Sequence, residues 1–154
     1  MTNSSPEEAG LNVIAEPRTA NSSNVTLYIY SAMSSSSATD SIENITVNAG
    51  EGLDVSGVTV ANVDTAGIDE GSNQSRSQTN GPSLGSNVEG RIKRAGDGEG
   101  FVVPLDGSRA IEQNDELVVV IDGGVATTEP GNYTFSLGIN NASAQEDSYN
   151  ITAA

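Results

Sequence analysis

The chain has 154 residues, long enough to bury a core without staples, and it contains neither cysteine nor histidine. Those two absences remove disulfides, thiolate metal ligation, Ser-His-Asp and Cys-His catalysis, and the easiest general base near neutral pH. A formal charge of -15, from 21 acidic against 6 basic residues, repels phosphate backbones and anionic lipid, so neither a nucleic acid partner nor membrane insertion is expected.

Self-repulsion on this scale is relieved in molar salt, where the Debye length falls to about 3 Å. Acid-rich composition with a single lysine, Lys93, therefore reads as adaptation to high salt. The acidic residues are scattered among apolar alternations rather than gathered in blocks, which separates the chain from a disordered acidic tail. Aromatics make up 4% and glycines number 17, so the core must come from Val, Ile and Leu, which favour strands. The opening residues have no basic start and no apolar stretch, and no run reaches the roughly 18 apolar residues of a membrane span. Exit from the cell would then follow another route, such as assembly into a particle, unless the chain is an excised fragment.

In chain order, residues 1–10 form a polar arm, and a first strand over 11–16 is closed by Pro17. Residues 24–31 alternate, with Val25, Leu27 and Ile29 on one face and Thr26, Tyr28 and Tyr30 on the other. A serine-rich connection follows, then a strand over 41–47 and a turn at Asn48-Ala-Gly-Glu-Gly. Residues 53–63 hold one or two short strands around Gly57. From 64 to 87 no periodicity is visible, which predicts a long loop held by a neighbouring subunit. Residues 88–94 and 100–105 read as a hairpin, and Ile111 anchors the approach to the strongest run in the chain, Leu117 to Ile121. That run is apolar on both faces and predicts a central strand covered on both sides. Residues 132–139 alternate instead, turning Tyr133, Phe135, Leu137 and Ile139 to the core, and residues 148–152 form the last strand.

Seven to nine short strands with turn signals between them predict an all-β fold, an Ig-like antiparallel sandwich, as one domain over 11–154. Its expected core includes Val25, Leu27, Ile29, Val119, Ile121, Tyr133, Phe135 and Leu137.

Between the two strongest strands, Glu129-Pro130-Gly131-Asn132-Tyr133 has the form of a tyrosine corner built on Glu129, Gly131 and Tyr133. A Pro-Gly turn followed by an ordinary core tyrosine is the alternative. Phe135 stands where an antibody domain would place its second cysteine.

Eight Asn-X-Ser/Thr triplets begin at Asn3, Asn21, Asn24, Asn44, Asn73, Asn132, Asn141 and Asn150, against about three expected by chance. Asn24, Asn44, Asn73, Asn132, Asn141 and Asn150 are candidate glycosylation sites, although Asn-apolar-Thr is also what strand alternation writes. Asp97 with Glu99, Asp64 with Asp69 and Glu70, and Asp122 offer oxygen ligands without the spacing of a calcium loop, so no metal and no cofactor are expected. A glycosidase would need aromatic sugar platforms, and there is no Trp. No catalytic residue is assigned. Arg91, Lys93 and Arg94 form the one basic cluster, a candidate interface with the acidic surface of another subunit or with carboxylates of the same sheet.

The stretch Ala110-Ile-Glu-Gln-Asn-Asp-Glu-Leu-Val-Val-Val-Ile, an acidic turn, and Glu-Pro-Gly-Asn132-Tyr-Thr-Phe-Ser-Leu-Gly-Ile resembles the β-sandwich modules of haloarchaeal surface glycoproteins and related secreted adhesins. It covers about the last third of the chain. Similar sandwiches decorate capsids, as turrets, of tailed viruses of halophilic archaea. The resemblance implies a non-enzymatic structural protein of a halophilic system. The first expectation is a capsid-surface decoration at the virion surface, assembled as a homo-oligomer, trimer or pentamer, on a capsid shell protein. The alternative is an extracellular cell-surface glycoprotein module of S-layer or adhesin type, with carbohydrate binding as one role open to it.

Overall fold

The computed structural model describes residues 11–32, 39–69, 88, 92–95, 99–112, 115–140 and 145–154. Their strands form two sheets around one apolar core. Sheet 1 is ordered β1 (Leu11–Glu16), β2 (Thr26–Ala32), β8 (Glu116–Asp122), β5 (Val63–Asp69). Sheet 2 is ordered β11 (Gln145–Ile151), β10 (Gly131–Ile139), β3 (Asn44–Asn48), β7 (Gly100–Pro104), β6 (Lys93–Ala95). A small ribbon pairs β4 (Leu53–Asp54) with β9 (Ala126–Thr127). Every neighbouring pair is antiparallel. The fold is thus the all-β, Ig-like antiparallel sandwich that the alternation predicts. Among the described residues no helix is long and apolar enough to cross a membrane.

Period-two side chains explain the core. Leu27 faces Ile121 and Ile29 faces Val119 across β2 and β8, and Leu137 faces Val47 across β10 and β3. These six residues meet in one buried cluster that also takes in Phe101, Phe135 and Ile151. Val25 is buried with them, and Tyr133 packs half-buried at the margin. The run over 117–121 is central as expected, flanked by β2 and β5, and both of its faces are buried. Its second face builds a separate cluster in which Val118 lies opposite Tyr30 and Val120 opposite Tyr28.

One expectation is corrected. Residues 64–69 are not loop: Val63–Asp69 is β5, paired antiparallel with β8. Of its residues, Ala66 and Ile68 are the apolar ones buried in the core, and the register shifts between Val63 and Thr65, so the sequence writes no alternation there. What holds the strand is the far edge of β8, whose backbone groups must be paired once buried. Ile111 is buried and makes one isolated bridge to Thr39. The hairpin expected over 88–94 and 100–105 appears as β6 on β7, with Val88 making a single bridge to Leu105. The polar arm, residues 70–87 and Arg91 lie outside the described residues.

Candidate functional site

β10 begins immediately after Pro130, and Glu129 and Tyr133 lie four positions apart. The Tyr133 hydroxyl donates to the Glu129 carbonyl at 2.8 Å, the geometry of a tyrosine corner. Tyr133 is joined by a second tyrosine. Tyr149 sits directly opposite on β11, its ring stacked on Tyr133 at 5.6 Å and 29°. Phe135 meets Tyr149 edge-on at 6.4 Å and 76°. The Tyr149 hydroxyl donates to the Ala49 carbonyl.

A 3-10 turn over Gly50–Gly52 closes beneath the two rings. A Cβ on Gly52 would lie 2.7 Å from both Tyr133 Cγ and the Tyr149 hydroxyl, so only glycine allows the approach. Thr128 fastens this turn, donating its N–H to Gly52 O at 3.0 Å and its hydroxyl to Glu51 O at 2.6 Å. Burial pushes the Tyr149 hydroxyl well above the ordinary tyrosine range; a backbone hydrogen bond with Gly52 opposes this, and the nearby Tyr133 and Glu99 add to it. A tyrosine held neutral and engaged in this way anchors structure and does not serve as a base.

The two sheets meet along one side where edge strand β1 lies against edge strand β11. Side chains tie them. Gln145 accepts from the Ser31 hydroxyl at 2.6 Å and donates to Ala32 O at 2.9 Å, while Asp147 accepts the Val13 N–H at 3.1 Å. Further along, Thr19 bridges Thr152, with Ala20 N–H on Thr152 O at 2.8 Å and Thr152 N–H on Arg18 O at 3.0 Å. Because Val13 gives its N–H to Asp147, its backbone points away from β2, and by antiparallel alternation so does that of Ala15.

Between these ties lies a cleft of about 290 Å³ whose lining includes Ile14, Arg18, Asn132, Ser148 and Asn150. Asn132 and Asn150 are cross-strand partners on the outer face of sheet 2. Asn150 Nδ2 donates to Asn132 Oδ1 at 2.7 Å and to Gly131 O at 3.4 Å.

The structure gathers some of the residues singled out in the sequence and separates others. Glu129, Gly131 and Tyr133 meet at the corner, and two triplet asparagines, Asn132 and Asn150, meet at the cleft. Asn21 and Asn24 are exposed in the turn between β1 and β2, both with positive φ, 61° and 56°. Asn44 is half-buried at the start of β3. Asn3, Asn73 and Asn141 lie outside the described residues. Lys93 is exposed on β6, the opposite edge of sheet 2 from the cleft, and the backbone of Arg94 pairs with Phe101. Asp122 accepts from the Thr26 hydroxyl at 3.2 Å, and among the described residues no three metal-ligating side chains converge.

Sequence reasoning missed Tyr149, Arg18, Gln145 and Asp147. A usable signal existed for Tyr149 alone, since it stands in the closing strand next to a triplet asparagine, as Tyr133 does in β10. Arg18 carries no local signal, because its polar neighbours at the cleft, Asn132, Ser148 and Asn150, are more than a hundred positions away in the chain.

No protein-family model matches the sequence, and no curated protein does. Solved structures similar to it include a bacterial hydrophobin, BslA, at 14% identity over 94% of this chain and 96% of that one, with a TM-score of 0.47. The C-terminal domain of the Streptococcus agalactiae AgI/II polypeptide BspA matches at 10% identity over 94% of this chain, with a TM-score of 0.48. This chain spans about half, 49%, of that structure. The collagen-binding subdomain of the Enterococcus faecalis surface protein ACE matches at 16% identity over 91% and 92%, with a TM-score of 0.37. At these identities the likeness concerns the β-sandwich architecture and nothing finer.

Proposed function

We propose that this chain is a non-enzymatic domain displayed at a cell surface in high salt, a module of the surface-glycoprotein or adhesin kind. The observation that carries this reading is the placement of charge. Glu16, Asp40, Glu43, Glu51, Asp54, Asp64, Asp106, Glu112, Asp122, Glu129 and Glu146 are all exposed around the apolar two-sheet core, while Asp115 and Glu116 are buried. Such a shell is strained by self-repulsion in dilute buffer and relieved at molar ionic strength. Triplet asparagines support display, since Asn21 and Asn24 are exposed and accessible to modification.

Capsid decoration is the second reading. The residues on which it turns, 1–10 and 70–87, lie outside the described residues, and no described contact favours it over display on a cell. Two measurements test the proposal. The thermal midpoint should rise from low to molar salt; a midpoint indifferent to salt removes the high-salt setting. Antibody labelling of intact source cells should detect the protein on their surface; recovery from purified virions instead transfers it to the capsid reading.

A further inference from the structure

We propose that the cleft between β1 and β11 binds the carboxylate of an acidic saccharide, a uronic acid unit, with Arg18 as the anion-binding group. The inference takes from the proposed function only its setting, a surface domain working in high salt.

The first argument is charge. The chain has 21 acidic residues and 6 basic ones, yet no Asp or Glu is among the described residues lining this cleft, and its lining includes an arginine. Among the described residues Arg18 makes no ion pair, although in so acidic a protein a guanidinium has many carboxylates to choose from. A planar guanidinium matches a carboxylate with two parallel hydrogen bonds.

The second argument is hydrogen-bonding polarity. The Asn150 to Asn132 bond, with Gly131 O as second acceptor, occupies Asn150 Nδ2 and Asn132 Oδ1. Asn150 Oδ1 is left as an acceptor and Asn132 Nδ2 as a donor, beside the exposed Ser148 hydroxyl. A sugar diol both donates and accepts, and so suits that set. Ile14, 37% exposed, gives the cleft an apolar wall for the C–H face of a ring. A volume of about 290 Å³ suits one or two sugar rings and little more.

An extended acidic peptide is the competing ligand, and β1 is poorly suited to it. Added strands are held by a row of edge backbone groups. Here the Val13 N–H is already taken by Asp147, and Pro17 has no N–H to offer. Net charge opposes any anion at low salt. In molar salt that field is screened beyond about 3 Å, while a direct guanidinium–carboxylate contact lies inside this distance.

The test is an NMR titration of isotope-labelled protein in molar NaCl with galacturonate, galactose, acetate and an extended acidic peptide. Galacturonate is expected to shift the amides of Arg18, Asn132 and Asn150 and to saturate. Arg18→Gln should weaken it by about tenfold or more, and Arg18→Lys, which keeps charge without the fork, by less. Galactose binding as well as galacturonate overturns the role of the carboxylate, and acetate binding as well overturns the saccharide. Saturation by the peptide alone replaces the ligand class, and no shift with any of the four sinks the site. Arg18→Gln should keep its salt-dependent midpoint, so lost binding with a salt-dependent fold leaves the surface reading standing. A salt-independent fold strikes that reading instead.

Discussion

The outer faces of the two sheets are built on opposite principles. On sheet 1 the outward row of β8, Val118 and Val120, is as dry as the core-facing row and packs with Tyr30 and Tyr28. On sheet 2 the outward rows of β10 and β11 carry Asn132, Thr134, Ser148 and Asn150, all exposed. Both sheets bury a full inner face, so the difference lies outside the shared core. Sheet 1 uses its second face for cohesion. Sheet 2 leaves its second face to water and to recognition, and Asn132, Asn150 and the Arg18 cleft gather along its β11 edge.

The largest expected effect sets the scale for that comparison. Phe135 is fully buried between the sheets, and Phe135→Ala should cost roughly 3 to 5 kcal/mol by denaturant unfolding in molar salt. A smaller loss would mean that the inner faces are loosely packed and that the two sheets do not share one core.

Next comes a hydroxyl probe of the outer faces. Val118→Thr places a polar group of nearly the same shape at a position with 0% exposure, and should cost about 1 to 3 kcal/mol. Thr134→Val, on the exposed row of sheet 2, should change stability by less than about 0.5 kcal/mol. Equal effects for the two would erase the distinction drawn between the faces.

The smallest effect separates the two tyrosines. Each hydroxyl bonds a backbone carbonyl, so Tyr133→Phe and Tyr149→Phe should each cost about 1 kcal/mol near neutral pH. Burial raises the ionisation of Tyr149. The unfolded chain therefore releases that proton from about pH 10 upward while the folded chain retains it, and stability falls as pH rises through this range. Alkaline unfolding curves should flatten in Tyr149→Phe and stay steep in Tyr133→Phe; the reverse would exchange the roles assigned to the two rings.

Much of the architecture was legible in the residues alone. Alternation at 132–139 and the two-faced run over 117–121 announce an amphipathic strand and a central one, because strand side chains point to opposite faces with period two whatever the topology. The pattern Glu129-Pro-Gly-Asn-Tyr133 marks the corner for a similar reason, since donor and acceptor lie four residues apart and local geometry brings them together. Composition excludes histidine and cysteine chemistry outright.

Tertiary structure decided the rest. Strand β5 has too few apolar residues to declare itself and exists because β8 offers an edge to pair. Tyr149 reaches Ala49 across 100 positions, Gln145 reaches Ser31 across 114, and Asp147 reaches Val13 across 134. The cleft combines Arg18 with Asn132 and Asn150 in the same way. Contacts of that kind leave no local pattern, because each depends on which strands end up as sheet edges and on how the two edges are stapled, and that is settled only when the sheets close on one another.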